Sequence, residues 1–213
     1  MLHLIKKDFL LVRRVGIILL LLAFATPLFL RFAAGDMPLP SGLSIASVSI
    51  ILSFTLFNGV FQEEEKFPKA SALLTTVGYS RGQQVAGRFV LSLLFFAYCV
   101  LAYSLLSIAI AGFAPITGMD LAAALSAYAA LTSLHLLLTY LFGVRASQYL
   151  TMAVIMLVSL GPTILARLDI RVDPSFLQSV PSQMTAALLL MVGIAAYLCS
   201  YLLSVRSFQR KEL

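Results

Sequence analysis

Residues Gln62 to Arg88 read QEEEKFPKASALLTTVGYSRGQQVAGR and form the longest polar interruption in an otherwise apolar chain. The stretch opens with three glutamates, passes through Pro68 into a short apolar run, and closes on polar and basic residues. Long apolar segments flank it on both sides. The fold is therefore set by how those segments cross a bilayer around a loop that lies in water.

The composition is that of an integral membrane protein. Of the 213 residues, 61% are hydrophobic and 11% are charged, and the mean hydropathy is +0.99. Soluble domains are about 45–50% apolar and about 25% charged. The length fits a single domain. Cys99 and Cys199 lie in apolar runs without another ligand at metal-binding spacing, which favours packed thiols over a metal site.

Residues 1–14 predict an amphipathic helix that lies in the membrane interface. Leu2, Ile5, Phe9 and Val12 fall on one helical face, and the basic residues lie largely elsewhere. The alternative is a simple charged flank of the first membrane span.

Six apolar segments follow, and a helical span needs about 20 residues to cross about 30 Å of hydrocarbon. They are Val15 to Phe32, Ser41 to Phe61, Phe89 to Phe113, Leu121 to Phe142, Gln148 to Leu165 and Gln183 to Leu203. All are expected to be α-helices, because an open sheet edge cannot satisfy its backbone groups in lipid. Alanines in the fourth segment and Gly193 in the sixth predict close helix packing.

Lysine and arginine are distributed unevenly between the two sides of this all-α bundle. Twelve of the 15 fall on one side, and only Arg31, Arg167 and Arg171 fall on the other. The positive-inside rule then places both termini and the Gln62 to Arg88 loop in the cytoplasm. The net charge of +6 is thus a signal of topology, which argues against a nucleic-acid partner.

The sequence also predicts the form of two further connections between spans. Residues 166–182 form an external loop in which Asp173 followed by Pro174 predicts the start of a short helix. Only Gly143 to Ser147 joins the fourth and fifth spans, and so short a connection makes antiparallel neighbours.

The sequence predicts no catalytic, metal or cofactor site. His135 is the one ionisable side chain well inside a predicted span, and it is either a neutral hydrogen-bonded histidine or a proton site. Neither a Gly-x-Ser-x-Gly motif nor a phosphate-binding Gly-x-x-x-x-Gly-Lys-Ser/Thr motif occurs, so the chain itself is not expected to bind ATP. Glu63-Glu64-Glu65 is expected to be a solvated surface run.

The middle of the polar loop predicts a short helix with an apolar tip. Pro68 interrupts the preceding helix, and Ala70 to Thr76 can form about two turns. Leu73, Leu74 and Val77 would then be exposed unless something covers them. The loop is either a docking surface for a partner or an amphipathic segment that rests on lipid headgroups.

The end of the loop carries signals for a new helix. Gly78 suits the C-cap of the short helix. Ser80 with Gln83 predicts a capping box that opens the third span.

The ordered set of features resembles the permease subunits of six-span ABC exporters, in particular the compact permeases related to bacterial phenol-soluble-modulin exporters. The likeness rests on the amphipathic start, the acidic run Glu63-Glu64-Glu65-Lys66, the pattern Leu73-Leu74-Thr75-Thr76-Val77, the turn Tyr79-Ser80-Arg81, and Arg88 at the third span.

This resemblance implies a bacterial plasma-membrane transporter built from two copies of the chain and two cytoplasmic ABC ATPases, which would carry ATP and Mg. The helix from Pro68 to Thr76 would be the coupling helix that docks on the ATPase. The implied ATPase-coupling residues are Glu63, Glu64, Glu65, Phe67, Lys69, Leu73, Leu74, Val77, Tyr79, Arg81 and Arg145.

Aromatic side chains in the spans predict a lining for amphipathic or hydrophobic cargo, peptide or lipid-like, although for any single ring a role in helix packing or as an interface anchor is favoured. The cargo-lining candidates are Phe95, Tyr98, Tyr103, His135 and Tyr140. Two other hypotheses stay open: a self-sufficient carrier with His135 as its proton site, and an intramembrane enzyme or assembly factor.

Overall fold

The computed structural model describes residues 2–34, 40–66, 78–110, 113–153, 156 and 182–210. Every regular element in these ranges is a helix. In chain order they are α1 (Leu2–Leu11), α2 (Arg13–Ala34), α3 (Ser41–Glu65), α4 (Arg81–Ala109), α5 (Gly118–Phe142) and α6 (Ser182–Arg210). A further helical stretch, residues 144–153, follows α5.

Within the described residues, five helices are long and apolar enough to cross a membrane. They are Arg13–Phe32, Ser41–Glu65, Arg81–Ala109, Gly118–Phe142 and Gln183–Arg210. These match the predicted first to fourth and sixth spans. Most of the predicted fifth span lies outside the described residues, and so do residues 67–77 and the predicted external loop up to residue 181.

Helix α4 begins earlier than its apolar segment, at Arg81 rather than Phe89. The predicted capping box is confirmed: Gln83 N donates to Ser80 Oγ at 3.2 Å, and Ser80 N donates to Gln83 Oε1 at 3.0 Å. Gly78 precedes it with a φ of 95°, a left-handed conformation that favours glycine. Because the cap starts the helix early, Arg88 lies two turns inside α4 and not in a loop.

A second capping box, which the sequence analysis did not identify, joins the starts of α3 and α5. Thr117 Oγ1 accepts from Asp120 N at 3.2 Å, and Thr117 N donates to Asp120 Oδ2 at 3.3 Å. The same carboxylate oxygen accepts from Ser41 Oγ at 2.8 Å. Asp120 therefore ties two spans together at the end of the bundle opposite the polar loop.

The core between these ends is closely packed and mostly apolar, with some buried hydroxyl groups. Helix α3 lies centrally against α2, α4 and α5, and it contributes much of the fully buried interior. Helix α6 packs along α5 through Gly193, where an added Cβ would lie 2.9 Å from Ser126 Cα. The predicted close approach at Gly193 is thus confirmed, and it leaves no room for a side chain.

We expect Gly193→Ala to destabilise the bundle by about 1–3 kcal/mol, because the new methyl group must displace the α5 backbone. Gly118→Ala is the matched control, since a Cβ at Gly118 meets nothing within 4 Å. Unfolding of the purified protein in detergent measures both variants. Equal stability of the two would contradict the packing described here.

Candidate functional site

The side of α1 that faces the bundle differs from the predicted apolar face. Leu4, Asp8 and Val12 are buried, whereas Ile5 and Phe9 are only partly buried. Leu4 and Asp8 are spaced four apart on α1, and Val12, the residue that follows α1, continues the same stripe. Periodicity of apolar residues missed this stripe because its central member, Asp8, is an acid that is only 3% exposed.

Asp8 is buried because it faces Arg88, the centre of a charge network. Arg88 is 6% exposed, and its Nε lies 3.6 Å from Asp8 Oδ2. Its Nη1 donates to Tyr140 Oη at 2.9 Å, and its Nη2 donates to Glu64 Oε2. One guanidinium thus contacts α1, α3 and α5 from its place on α4.

Lys7 supplies the second cation of the network. Its Nζ lies 2.8 Å from Glu64 Oε1 and 3.0 Å from Asp8 Oδ1. Two carboxylates therefore share two cations, so the formal charges of the group cancel. The Lys7 side chain is 33% exposed, which places this edge of the network at the protein surface.

Aromatic rings shield the buried part of the network from water. The Phe61 ring centroid lies 4.3 Å from Arg88 Cζ, and the Tyr140 centroid lies 5.7 Å from it. The two rings meet edge to face at 5.6 Å, and Phe208 of α6 packs on Tyr140 at 5.5 Å. Cation–π attraction adds to the ion pairs, since both ring centroids lie within 6 Å of Arg88 Cζ.

These contacts correct two expectations from the sequence. Glu64 was expected in water with its neighbours, but it is an internal partner of Arg88 and Lys7. Arg88 was counted as a loop charge, but it is buried within a helix. Glu63 pairs with Lys66 at the surface at 2.6 Å, as a solvated run would. The difference arises because α3 and α4 continue past their apolar segments and turn these side chains toward each other.

A pocket of about 450 Å³ lies beside the network, where the end of α3 meets the turn after α5. It is lined by Gln62, Glu65, Lys66, Val144, Arg145 and Gln148. Gly143 makes the turn with a φ of 86°, and its N–H donates to Thr139 O at 3.0 Å. Two predicted docking segments that are distant in sequence, the acidic run and the Arg145 turn, are therefore adjacent.

Arg81 connects the end of the polar loop to the last helix. Its Nη1 donates to the carbonyl oxygens of Phe208 at 3.3 Å and Gln209 at 3.1 Å. These carbonyls belong to the C-terminal turn of α6, where a cation is favoured by the helix dipole. Tyr79 beside it is half-buried.

The other implied coupling residues cannot be located in the same way. Phe67, Lys69, Leu73, Leu74 and Val77 lie outside the described residues. Their docking role stays a prediction.

The cargo-lining candidates pack against neighbouring helices within the single chain. Phe95 is buried, Tyr98 Oη donates to Leu20 O at 3.0 Å, and Tyr103 Oη donates to Ala114 O at 3.3 Å. Tyr140 belongs to the charge network. Contact with cargo stays a prediction for all of them.

His135 belongs to α5, as Tyr140 does, and its side chain is buried, at 1% exposed. Its Nδ1 lies 3.0 Å from Thr151 Oγ1, and its ring lies 4.7 Å from that of Phe54. In the part of the chain that the structure describes, no carboxylate pairs with it. Over the same residues, His, Cys, Asp and Glu do not gather into a group of three that could hold a metal ion.

The comparisons with known proteins yield one match. A family model described as "ABC-2 family transporter protein" matches residues 3–209. No curated protein and no solved structure matches the chain.

We expect Arg88→Gln to destabilise the protein by about 3–5 kcal/mol, because it leaves buried carboxylates without their cation. Arg14→Gln is the matched control, since Arg14 is exposed outside the network. Unfolding of the purified chain in mixed micelles measures the free energy of each variant.

The Glu64→Gln and Arg88→Gln double variant completes a thermodynamic cycle. The sum of the single effects should exceed the double effect by about 1–3 kcal/mol, as for directly paired residues. Additive effects would show that the two side chains do not interact.

Proposed function

The chain belongs to the ABC-2 family of transporter proteins, and on this premise we propose that it is the membrane permease subunit of an ATP-driven exporter. The match extends from α1 through α6, so the family assignment covers the whole described bundle. ATP and Mg are bound by a separate cytoplasmic ABC ATPase, and the permease converts the motion of that ATPase into movement of cargo.

The observation that carries this proposal is the meeting of two docking segments at one pocket. The end of α3 contributes Glu65 and Lys66, and the turn after α5 contributes Arg145. In the sequence, the loop segment that contains the apolar Leu73 and Leu74 follows Lys66. Apolar side chains that lie in sequence between charged segments suit a specific protein interface, with a buried centre and a polar rim.

The ion pairs provide rigid links by which force on the loop can reach the bundle. Glu64 near the end of α3 pairs with Arg88 of α4, so these two helices are joined directly. Arg81 at the start of α4 links this helix to α6 through hydrogen bonds. Arg88 links α4 to α1 through its ion pair with Asp8. A push on the coupling helix would then tilt these helices together, as a rigid-body switch between packed states.

Two copies of the chain form the translocation unit in this proposal. Large apolar side chains on the outer sides of α2 and α6 are exposed in the single chain, among them Phe29, Phe32, Met191 and Val192. Apolar faces of this kind are covered either by lipid or by a second copy of the chain. Cargo would pass between the copies.

The remaining parts of the proposal concern orientation and cargo. The excess of basic residues supports cytoplasmic termini, in a bacterial cell membrane. Amphipathic or hydrophobic cargo, such as peptides or lipid-like molecules, suits the apolar, aromatic-rich spans and the likeness to phenol-soluble-modulin exporters.

The leading test replaces Leu73 and Leu74 with Asp, which should abolish capture of the ATPase encoded with this permease. Charged side chains cannot enter an apolar groove without a large desolvation cost. Thr75→Asp with Thr76→Asp is the matched control, because it adds the same charge to the same loop at polar positions. Co-purification from membranes measures capture. Undiminished capture by the leucine variant, with normal membrane insertion, would refute the coupling assignment.

Arg145→Ala should lower permease-dependent ATPase activity several-fold while leaving most capture intact. In this proposal, Arg145 and the Gly143 to Ser147 turn make a second contact with the ATPase, which is smaller than that of the coupling helix. Arg14→Ala is the control, as an exposed arginine away from the pocket. ATPase activity of the reconstituted complex gives the comparison. Activity equal to that of the control would remove Arg145 from the coupling surface.

A further inference from the structure

A second pocket lies at the same end of the bundle, between the last turns of α5 and α6. Its volume is about 600 Å³, and it is lined by Leu141, Leu203, Arg206, Ser207 and Arg210. The packing of Phe208 on Tyr140 places it next to the charge network, but the two sites share no side chain.

The lining of this pocket is divided between apolar and basic groups. Leu141 and Leu203 are 44% and 51% exposed, and they belong to the apolar segments that would face lipid. Arg206 and Arg210 are exposed and lie one helical turn apart, so their side chains are neighbours on α6. The pocket therefore joins an apolar floor to a pair of cations at the end of a membrane span.

Within the part of the chain that the structure describes, the two arginines differ from Arg88 in having no acidic partner. Across the described residues, neither guanidinium lies within salt-bridge distance of a carboxylate. Two neighbouring like charges repel unless an anion lies between them. The guanidinium group also matches the geometry of phosphate, to which it can donate two parallel hydrogen bonds.

We propose that this pocket binds the headgroup phosphate of an anionic phospholipid. Arg206 and Arg210 hold the phosphate, and the acyl chains lie on Leu141 and Leu203. The apolar floor favours a lipid over a free anion, because a lipid joins a phosphate to hydrocarbon chains and can therefore contact the arginines and the leucines at once. Basic pockets at the cytoplasmic ends of membrane helices are suited to such headgroups. The proposal does not depend on transport or on an ATPase.

The test measures binding of phosphatidylglycerol and phosphatidylcholine to the purified full-length chain by native mass spectrometry, with inorganic phosphate in a parallel arm. Arg206→Gln with Arg210→Gln is the test variant. Arg13→Gln with Arg14→Gln is the matched control, because it removes the same charge from another exposed arginine pair. A third variant, Arg206→Lys with Arg210→Lys, keeps the charge but not the guanidinium geometry.

The wild-type chain should retain phosphatidylglycerol in preference to phosphatidylcholine. The test variant should lose about 30-fold in affinity for phosphatidylglycerol, whereas the control should lose little. The lysine variant should keep part of the affinity. It keeps the proposal testable even if the glutamine variant does not fold.

Three results would overturn the proposal. An equal loss in the control would indicate general surface electrostatics. Equal occupancy by inorganic phosphate would indicate a free-anion site. Unchanged lipid binding by the test variant would show that the two arginines do not hold a lipid phosphate, and loss of ATPase capture by that variant in a co-purification arm would assign the surface to protein docking.

Discussion

The structure depends on the burial of one cation, the guanidinium of Arg88, where four helices meet. Removal of a charge from water costs several kcal/mol unless carboxylates and hydrogen-bond acceptors replace its hydration. Asp8, Glu64 and Tyr140 supply those partners, and each belongs to a different helix. Arg88 is satisfied only when α1, α3, α4 and α5 are all in place, so the guanidinium selects one arrangement of the bundle.

The two ends of the bundle are held by different kinds of polar contact. At the end away from the loop, Asp120 caps its own helix and accepts a hydrogen bond from Ser41, which fixes the starts of α3 and α5. At the loop end, long charged side chains bridge between helices. The contacts of Asp120 join two helices, whereas the Arg88 network joins four, so the loop end couples more of the bundle than the opposite end does. This difference supports the proposal that the permease is driven from the loop side.

The sequence alone predicted the elements better than the site. Segment length and hydropathy identified the five spans that lie within the described residues, and the pairing of Ser80 with Gln83 identified the cap of α4, because both signals are local. Asp8 was missed, since an acid between apolar residues is ordinarily assigned to the solvent face of a helix. Its partner Arg88 was missed for a related reason: a basic residue next to an apolar segment fits the positive-inside rule whether it is exposed or buried.

The sequence by itself therefore determined the environment of each segment. It indicated which residues suit lipid, which suit water, and where the chain must turn. These follow from transfer free energies and capping preferences, which depend on a residue and its near neighbours. Only the tertiary structure decided which charges neutralise each other, and that the acidic end of α3 meets the turn at Arg145. Such pairings depend on how helices approach and rotate, and hydrophobic periodicity carries no information about the identity of a distant partner.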